Sequence, residues 1–434
     1  MRFKFYILAL LFFTGKLNAQ PLQEFINTAL KSHYGIRIHR YNAKIEKNKN
    51  TVGNAGMLPT LEINTNQQQN INTSEQVFFT GEKRSGEGAK TTLSNAQILL
   101  NWTVFDGFQM FAEKNKLKYL EEMGRLNARY QIDQSIADLI ILYNQLIYES
   151  KQLKNLKQVE EISEYRLEIE TKRRNVGSGN ALAHQQALVD LQNDQIAVLS
   201  QEQVLVSLQI ELNTLVNTNP NNPITIYNEL QTFPDFDPDT LQNLIKNYSF
   251  EYPLQELEVL VAEKQVTIAK ALKYPSINLV GGYAYSNNIN EIGFIQKNQN
   301  YGNYVGLNVR MNLFNAGRNN LEIKNAQLHL QNSRYQKERL QQDLRNQGWT
   351  WYSEYVNKKQ QYKLALENEK VAQRMADIAE QQFLLGTITG YEYRISQLSL
   401  LQTTQKTAEL SYQLAVIQTH IHRLCGQILV LYTQ

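Results

Sequence analysis

Prolines divide this chain more sharply than any other residue type. They stand at Pro21, Pro59, Pro220, Pro223, Pro234, Pro238, Pro253 and Pro275, so residues 60–219 and 276–434 contain none. Proline breaks helix interiors and strand ladders. Two such proline-free runs permit regular elements much longer than those of an ordinary globule, with the breaks gathered at a few junctions. The 434 residues suffice for more than one domain. Lys plus Arg number 44 against 41 for Asp plus Glu, which leaves no concentrated basic charge for nucleic acid. The single cysteine, Cys425, excludes a disulfide framework and a Cys-rich metal site.

The N-terminus reads as an export signal over residues 1–19. Arg2 and Lys4 precede the apolar run Phe5 to Phe13, and Leu17-Asn18-Ala19 ends the segment. After it, no apolar stretch of about 20 residues remains, so a mature chain that spans a membrane must do so with strands.

The chain also repeats itself. A helical stretch from Leu22 leads to Leu58-Pro59-Thr60, and one from Leu241 leads to Tyr274-Pro275-Ser276. Phe105-Asp106-Gly107 recurs as Phe314-Asn315-Ala316-Gly317, and the turn at Gly177 recurs at Gly386 over the same interval. Residues 20–216 and 241–426 are therefore two copies of one unit, joined by a linker over 217–240 and followed by a tail over 427–434. Each copy reads helix, strand pair, long helix, tight turn, helix. The strand pairs are expected over about 59–105 and 275–314, the turns at 177–180 and 386–390.

In the strands, Ala96, Ile98, Leu100, Trp102 and Val104 alternate with Asn95, Gln97, Asn101 and Thr103. Val305, Leu307, Val309, Met311 and Leu313 alternate with Gly306, Asn308, Arg310 and Asn312. Period-two alternation gives one apolar and one polar face. A soluble half-buried sheet shows the same alternation, but the runs also match the length a tilted strand needs to cross a bilayer, about 9–11 residues. From Phe108 to Val176 there is one glycine and no proline, room for a helix of roughly 100 Å at 1.5 Å per residue. In the next helix Ala187, Leu191, Asp194, Val198, Gln201, Leu205, Leu208, Leu212 and Leu215 form one heptad seam. Val189, Ile196, Leu199, Gln203, Val206 and Ile210 form much of a second, offset seam, as a helix with neighbours on two sides requires. Polar residues in the seam, Asp194 and Gln201 among them, either set register or face water inside a hollow tube.

Over residues 22–426 this pattern resembles the TolC-type outer-membrane efflux proteins. The features that carry the resemblance are the strand entries at Pro59 and Pro275, the exits at Phe105-Gly107 and Phe314-Gly317, and the glycine turns at Gly177 and Gly386. The resemblance implies an α+β membrane protein in the outer membrane. Three copies would assemble a twelve-stranded transmembrane β-barrel, four strands from each chain, continued by a long periplasmic α-helical barrel. It implies partners as well: two further copies of the chain, outer-membrane lipid, a periplasmic membrane-fusion adaptor, and an inner-membrane pump of the resistance–nodulation–division or ABC type. The adaptor would dock on the tip at Arg174, Val176, Gly177, Ser178, Leu385, Gly386 and Thr387. Family members often carry acidic residues a few positions after the second tip glycine, and Glu392 falls there, with Arg394 close by. Glu392 is the expected gate carboxylate, its pKa raised by repulsion between copies. Arg310, Asn308 and Asn312 are expected to face the barrel lumen.

The function implied is the passive exit duct of a tripartite efflux pump. The outer component of a one-step protein secretion system shares the fold. A periplasmic coiled-coil scaffold without a pore is the reading from another class. Enzyme chemistry has no motif: no nucleotide-binding lysine loop and no Gly-x-Ser-x-Gly elbow. His420 and His422 are two apart on a predicted helix, which is poor metal geometry, and neither a metal nor a cofactor is expected.

Overall fold

The computed structural model describes residues 22–224, 226 and 235–432. The expected export signal and much of the linker lie outside them. The elements are α1 (Leu22–Ser32), α2 (Tyr34–Lys49), β1 (Thr60–Val77), β2 (Lys83–Phe105), α3 (Gln109–Asn175) and α4 (Ala181–Leu215). There follow α5 (Pro238–Tyr248), α6 (Glu251–Ala271), β3 (Ser276–Asn290), β4 (Lys297–Arg310), α7 (Arg318–Leu384), α8 (Gly390–Leu424) and α9 (Ile428–Tyr432). α3 and α7 are both 67 residues long, α4 and α8 both 35. The helical stretches at the start of each copy are interrupted, at His33 between α1 and α2 and at Ser249 between α5 and α6. The described residues form two compact units: one holds those up to Arg40, those within Ala128–Phe250 and those from Gln341, the other Tyr41–Asn127 and Glu251–Leu340.

The first unit is helical. Ile132, Ile136, Leu139, Tyr143 and Leu146 on α3 step by three and four, and all are buried with Leu205, Leu208 and Leu212 of α4 and Phe25 and Ile26 of α1. The α4 seam thus splits as its two heptad lines suggest. Ala187, Val198, Leu205 and Leu212 are buried, whereas Val189, Ile196, Leu199, Val206 and Ile210 are exposed. The polar members of the seam bond to protein: Gln201 Nε2 donates to Glu149 Oε2 at 2.6 Å, and Asp194 is held as described below.

The same core takes in the end of the chain. α9, short and without a periodic signal of its own, seats Ile428 at 0 % exposure. Gly426 (φ 61°) reverses the chain after α8. Asp133 on α3 then accepts the Leu429 N–H at 3.1 Å. Burial raises the Asp133 carboxyl to about 7, against the pull of that N–H and of Arg423 and Arg129. A folded-state pKa above the unfolded value of about 3.9 favours the folded chain most at pH below 4. That contribution fades as pH rises through 7. The expected outcome is a wild type less stable at pH 8 than at pH 5, and an Asp133→Asn variant with a flatter profile, read from unfolding midpoints of detergent-solubilised protein.

The second unit holds the sheet, in the antiparallel order β1-β2-β3-β4. Its register sets Ile63 beside Ile98, Ile98 beside Tyr283, and Leu279 between Trp102 and Leu307. Cross-strand partners share a face, so most apolar residues of the four strands line up on one side. The other side carries Asn64, Asn66, Gln97, Asn101, Asn278 and Asn308. Sequence alternation carried β4 through Asn312 and Leu313, but the strand ends at Arg310 opposite Ser276. Beyond that point the ladder has no partner: Pro275 lacks an N–H, and Tyr274 N–H is bonded to Ala271 O in the turn that ends α6. Asn312 therefore does not belong to a strand face.

Each strand-to-helix exit uses two consecutive residues at positive φ: Gly107 and Phe108 at 69° and 68°, Ala316 and Gly317 at 56° and 76°. One of each pair is not glycine, a strain of about 1–2 kcal/mol. Phe108 is braced by edge contact with Phe105 at 5.4 Å. A Cβ on Gly107 would stand 2.8 Å from Ala271 O and 2.7 Å from Tyr274 Cβ. Gly107→Ala should cost roughly 2–4 kcal/mol from clash and backbone strain together, whereas Ala316→Gly should be neutral or slightly stabilising. Unfolding midpoints of the two variants check this.

Candidate functional site

Two regions carry the candidate residues, one in each unit. In the helical unit, α3 and α7 end in the same way. Gly177 and Gly386 adopt positive φ (76° and 74°). Ser178 N–H reaches back to Arg173 O at 3.0 Å, and Thr387 N–H to Gln382 O at 3.0 Å. These are Schellman closures, which satisfy the last helix carbonyls. The next helices start on side-chain caps. Asn180 accepts the Leu182 N–H, and Thr389 accepts the Glu392 N–H at 3.2 Å while Glu392 Oε2 accepts the Thr389 N–H at 2.7 Å. The reciprocal pair is a capping box. Arg174, Val176, Gly177, Ser178, Leu385, Gly386 and Thr387 are all exposed at these turns.

Glu392 is exposed, but within one chain its pKa moves opposite to the sequence expectation. The Thr389 backbone N–H and hydroxyl hold it below the usual carboxylate range. Arg394 is not a free charge. Its guanidinium donates to Asp194 Oδ1 at 2.7 Å and to Ser163 Oγ at 3.1 Å, and Ser163 Oγ donates to Asp194 Oδ2 at 2.6 Å. This triad ties α8 to α3 and α4. Nearer the turns, Arg166 on α3 pairs with Asp190 on α4 and points to Gly390 O. Arg173 donates to Phe383 O at 2.9 Å, pairs with Glu170 at 3.1 Å and lies over the Phe383 ring, which stacks on Tyr393. A cavity of about 460 Å³ opens among Arg166, Glu170, Arg173, Asn180, Asp190 and Tyr391.

Sequence patterning singled out neither Ser163, Arg166 nor Asp190, because polar residues of a long helix look solvent-facing until their partners are known. Asp194, interrupting a seam, was the one visible signal. Breaking a buried ion pair on one side typically costs about 3–5 kcal/mol. Arg394 and Asp194 are 11 % and 12 % exposed, so Asp194→Ala should fall in the lower part of that range. Replacing both charges with apolar residues should cost less, a difference that a double-mutant cycle on denaturant unfolding measures.

In the sheet unit, the apolar face is open to its surroundings: Leu61, Ile63, Trp102, Tyr301, Val305, Leu307 and Val309 are all exposed. The band runs along β3 from Ile277 to Tyr285 and along β4 from Val309 to Tyr301, close to the about 9–11 residues of a spanning strand. Tyr283, Tyr285 and Tyr301 close one end and Trp102 the other, the placement of interfacial aromatic girdles. Trp102 Nε1 donates to Met57 O at 2.9 Å. Asn308 and Arg310 lie on the opposite, polar face, where Thr103 donates to Asn278 Oδ1 at 2.8 Å. Among the described residues, no helix is long and apolar enough to cross a membrane.

No group of His, Cys, Asp and Glu among the described residues has a metal-holding arrangement. His420 stacks on Trp351 at 4.7 Å and His422 lies edge-on to Phe236, with burial lowering both pKa values. Cys425 is buried, and its thiol is pushed up to about 12.

The fold is that of the outer-membrane channels. The chain is similar to the outer membrane protein VceC from Vibrio cholerae, with a TM-score of 0.74 at 13 % identity over 93 % of this chain and 96 % of that one. It is similar to the Campylobacter jejuni CmeC outer membrane channel, with a TM-score of 0.77 at 14 % identity over 93 % and 85 %. The open state of the Neisseria gonorrhoeae MtrE outer membrane channel gives 0.71 at 14 % identity over 93 % and 88 %. No curated protein matches the chain in sequence. The outer membrane efflux protein family matches residues 254–427, most of the second copy. The resemblance to TolC-type outer-membrane efflux proteins is thus borne out, and with it an outer-membrane location with a large periplasmic part.

Proposed function

We propose that the chain is the exit duct of a tripartite efflux pump, a passive channel of three copies that conducts small molecules outward. The observation that carries this reading is the sheet: an exposed apolar band of spanning length on four strands, ended by aromatics, with β1 and β4 unpaired at its edges. Open edges are not tolerated in lipid, so the sheet needs copies of itself, and three copies of four strands make a twelve-stranded barrel. The helical unit supports the same assembly. Beside the exposed seam Leu182, Val189, Ile196 and Ile210 of α4, the chain exposes Leu364, Val371, Ile378 and Leu385 at heptad spacing along α7 and just past its end. Two unlike seams on one chain suit a head-to-tail ring, α4 of one copy against α7 of the next. The equal lengths of α3 and α7, and of α4 and α8, support an origin in two copies of one unit.

In this assembly the exposed turns at Gly177 and Gly386 form the periplasmic tip. Val176 and Leu385, beside Arg174 and Thr387, offer an adaptor an apolar surface with polar edges. Glu392 contributes one carboxylate per copy to the aperture, where it attracts cations. The sequence carries no nucleotide-binding motif, so an inner-membrane pump supplies the energy.

Single-channel recording in planar bilayers tests this. Protein purified from outer membranes should give discrete conductance, with cation preference weakened in Glu392→Ala. Conductance indifferent to that change would discard Glu392 and keep the duct. A folded wild type that never inserts would overturn the duct itself.

A further inference from the structure

The two free edges of the sheet are complementary. Asn290 N–H donates to Gln296 O at 2.9 Å across β3–β4, and Glu291 N–H donates to Lys90 O at 3.0 Å across β3–β2. Antiparallel bonding alternates along a strand, so even-numbered residues of β3 bond β4 and odd-numbered ones bond β2. Carried across the register, this leaves the odd-numbered, apolar-face residues of β1 and β4 directing N–H and C=O at the free edges. Phe78 N–H, bonded to Glu82 O, agrees on the β1 side. A joint between β1 of one copy and β4 of the next therefore pairs apolar-face residues with apolar-face residues and keeps each face whole.

The polar face then makes a further contact. Over Thr60–Asn72 and the strand segments beside it, Glu62 and Arg310 are the only charged residues on that face. Within one copy the ladder sets Glu62 level with Leu99, Gly282 and Tyr304. Barrel strands tilt by about 35–45°, with about 4.8 Å between strands and about 3.3 Å per residue, so a ladder line slips roughly four to six residues over four strands. The direction of the slip follows from chirality. In an L-residue strand running upward, a residue facing the viewer directs its N–H and C=O to the right. With the apolar face outward and Pro275 below, β2 lies right of β3, and β1 is the right edge. Right-handed coiling leans the strands rightward as they rise, which moves the meeting point on the next copy's β4 from Tyr304 toward Arg310. A slip of four sets Glu62 opposite Asn308 with Arg310 on the diagonal; a slip of six sets it opposite Arg310.

We infer that Glu62 of one copy and Arg310 of the next form an ion pair on the lumen face at every seam between copies. The inference rests on the trimeric barrel proposed above. The pair neutralises the two charges of this stretch of the polar face and fixes the register of the joint.

Cysteine pairs test the register, with native Cys425 left in place, buried and unreactive. Glu62→Cys with Arg310→Cys should give disulfide-linked dimers and trimers on mild oxidation. Glu62→Cys with Tyr304→Cys, the register without slip, should not. Cross-linking of the second variant alone, or of neither while the trimer persists, would overturn the pair and leave the duct standing. A wild type without trimers would overturn both. Heat resistance of the trimer in detergent gives a second readout. Glu62→Arg and Arg310→Glu should each lower it, and the swapped double variant should recover it; additive losses would refute the contact.

Discussion

A backbone amide that faces hydrocarbon without a partner costs several kcal/mol, and the sheet of this chain leaves two edges of such groups. It also turns an exposed apolar face away from its amide face. Neither feature is stable for a single copy in water or in lipid. Nearly everything else about the chain follows from that constraint. In the proposed assembly the strands serve in a ring that closes between copies. The hairpins are antiparallel and both edges present the same class of residue, so the proposed joint needs no change of sheet type and no exchange of faces.

The helices suit the same proposed assembly by other means. A ring of helices needs two contact lines on a helix, one toward its own chain and one toward a neighbour. α4 has both: its inner line is filled by α1 and α3, and its outer line is bare. Apolar burial fixes how far the helices overlap within a chain, but leaves sliding and rotation weakly specified. The buried polar ties supply what is missing. Arg394 reaches Asp194 and Ser163 on two different helices, and Arg166 reaches Asp190 close to the start of α8. Each is costly to break from one side, so together they specify one alignment of α3, α4 and α8 near the turns.

Much of this was legible in the residues. Proline spacing marked the junctions, period-two alternation marked β2 and most of β4, and steps of three and four marked the buried line of α3. These signals are local, and local backbone physics decides them. What escaped depended on partners distant in sequence. The end of β4 at Arg310 is set by where β3 begins, which alternation within β4 does not show. α9 is too short for periodicity and is defined by Asp133, which lies far earlier in the chain. Arg394 looked like a pore charge because it follows Glu392 after the second tip glycine, and its helical phase mattered less than the presence of Asp194 on the neighbouring α4.

Glu392 and Arg394 illustrate how far a resemblance carries site residues. Position after the turn placed both near an aperture. The capping box then gives Glu392 a task within its own chain, as an acceptor for the Thr389 N–H at the positive end of α8. That bond favours the ionised form, so a ring of three such carboxylates would begin with its charges stabilised locally, and the repulsion between copies would have to exceed the hydrogen bonds before any of them took up a proton. Within one chain the cap therefore lowers the Glu392 pKa, against the rise that neighbouring carboxylates would cause. The local cap and the proposed gate are compatible, because the bond that orders the start of the helix favours the ionised form that the gate uses.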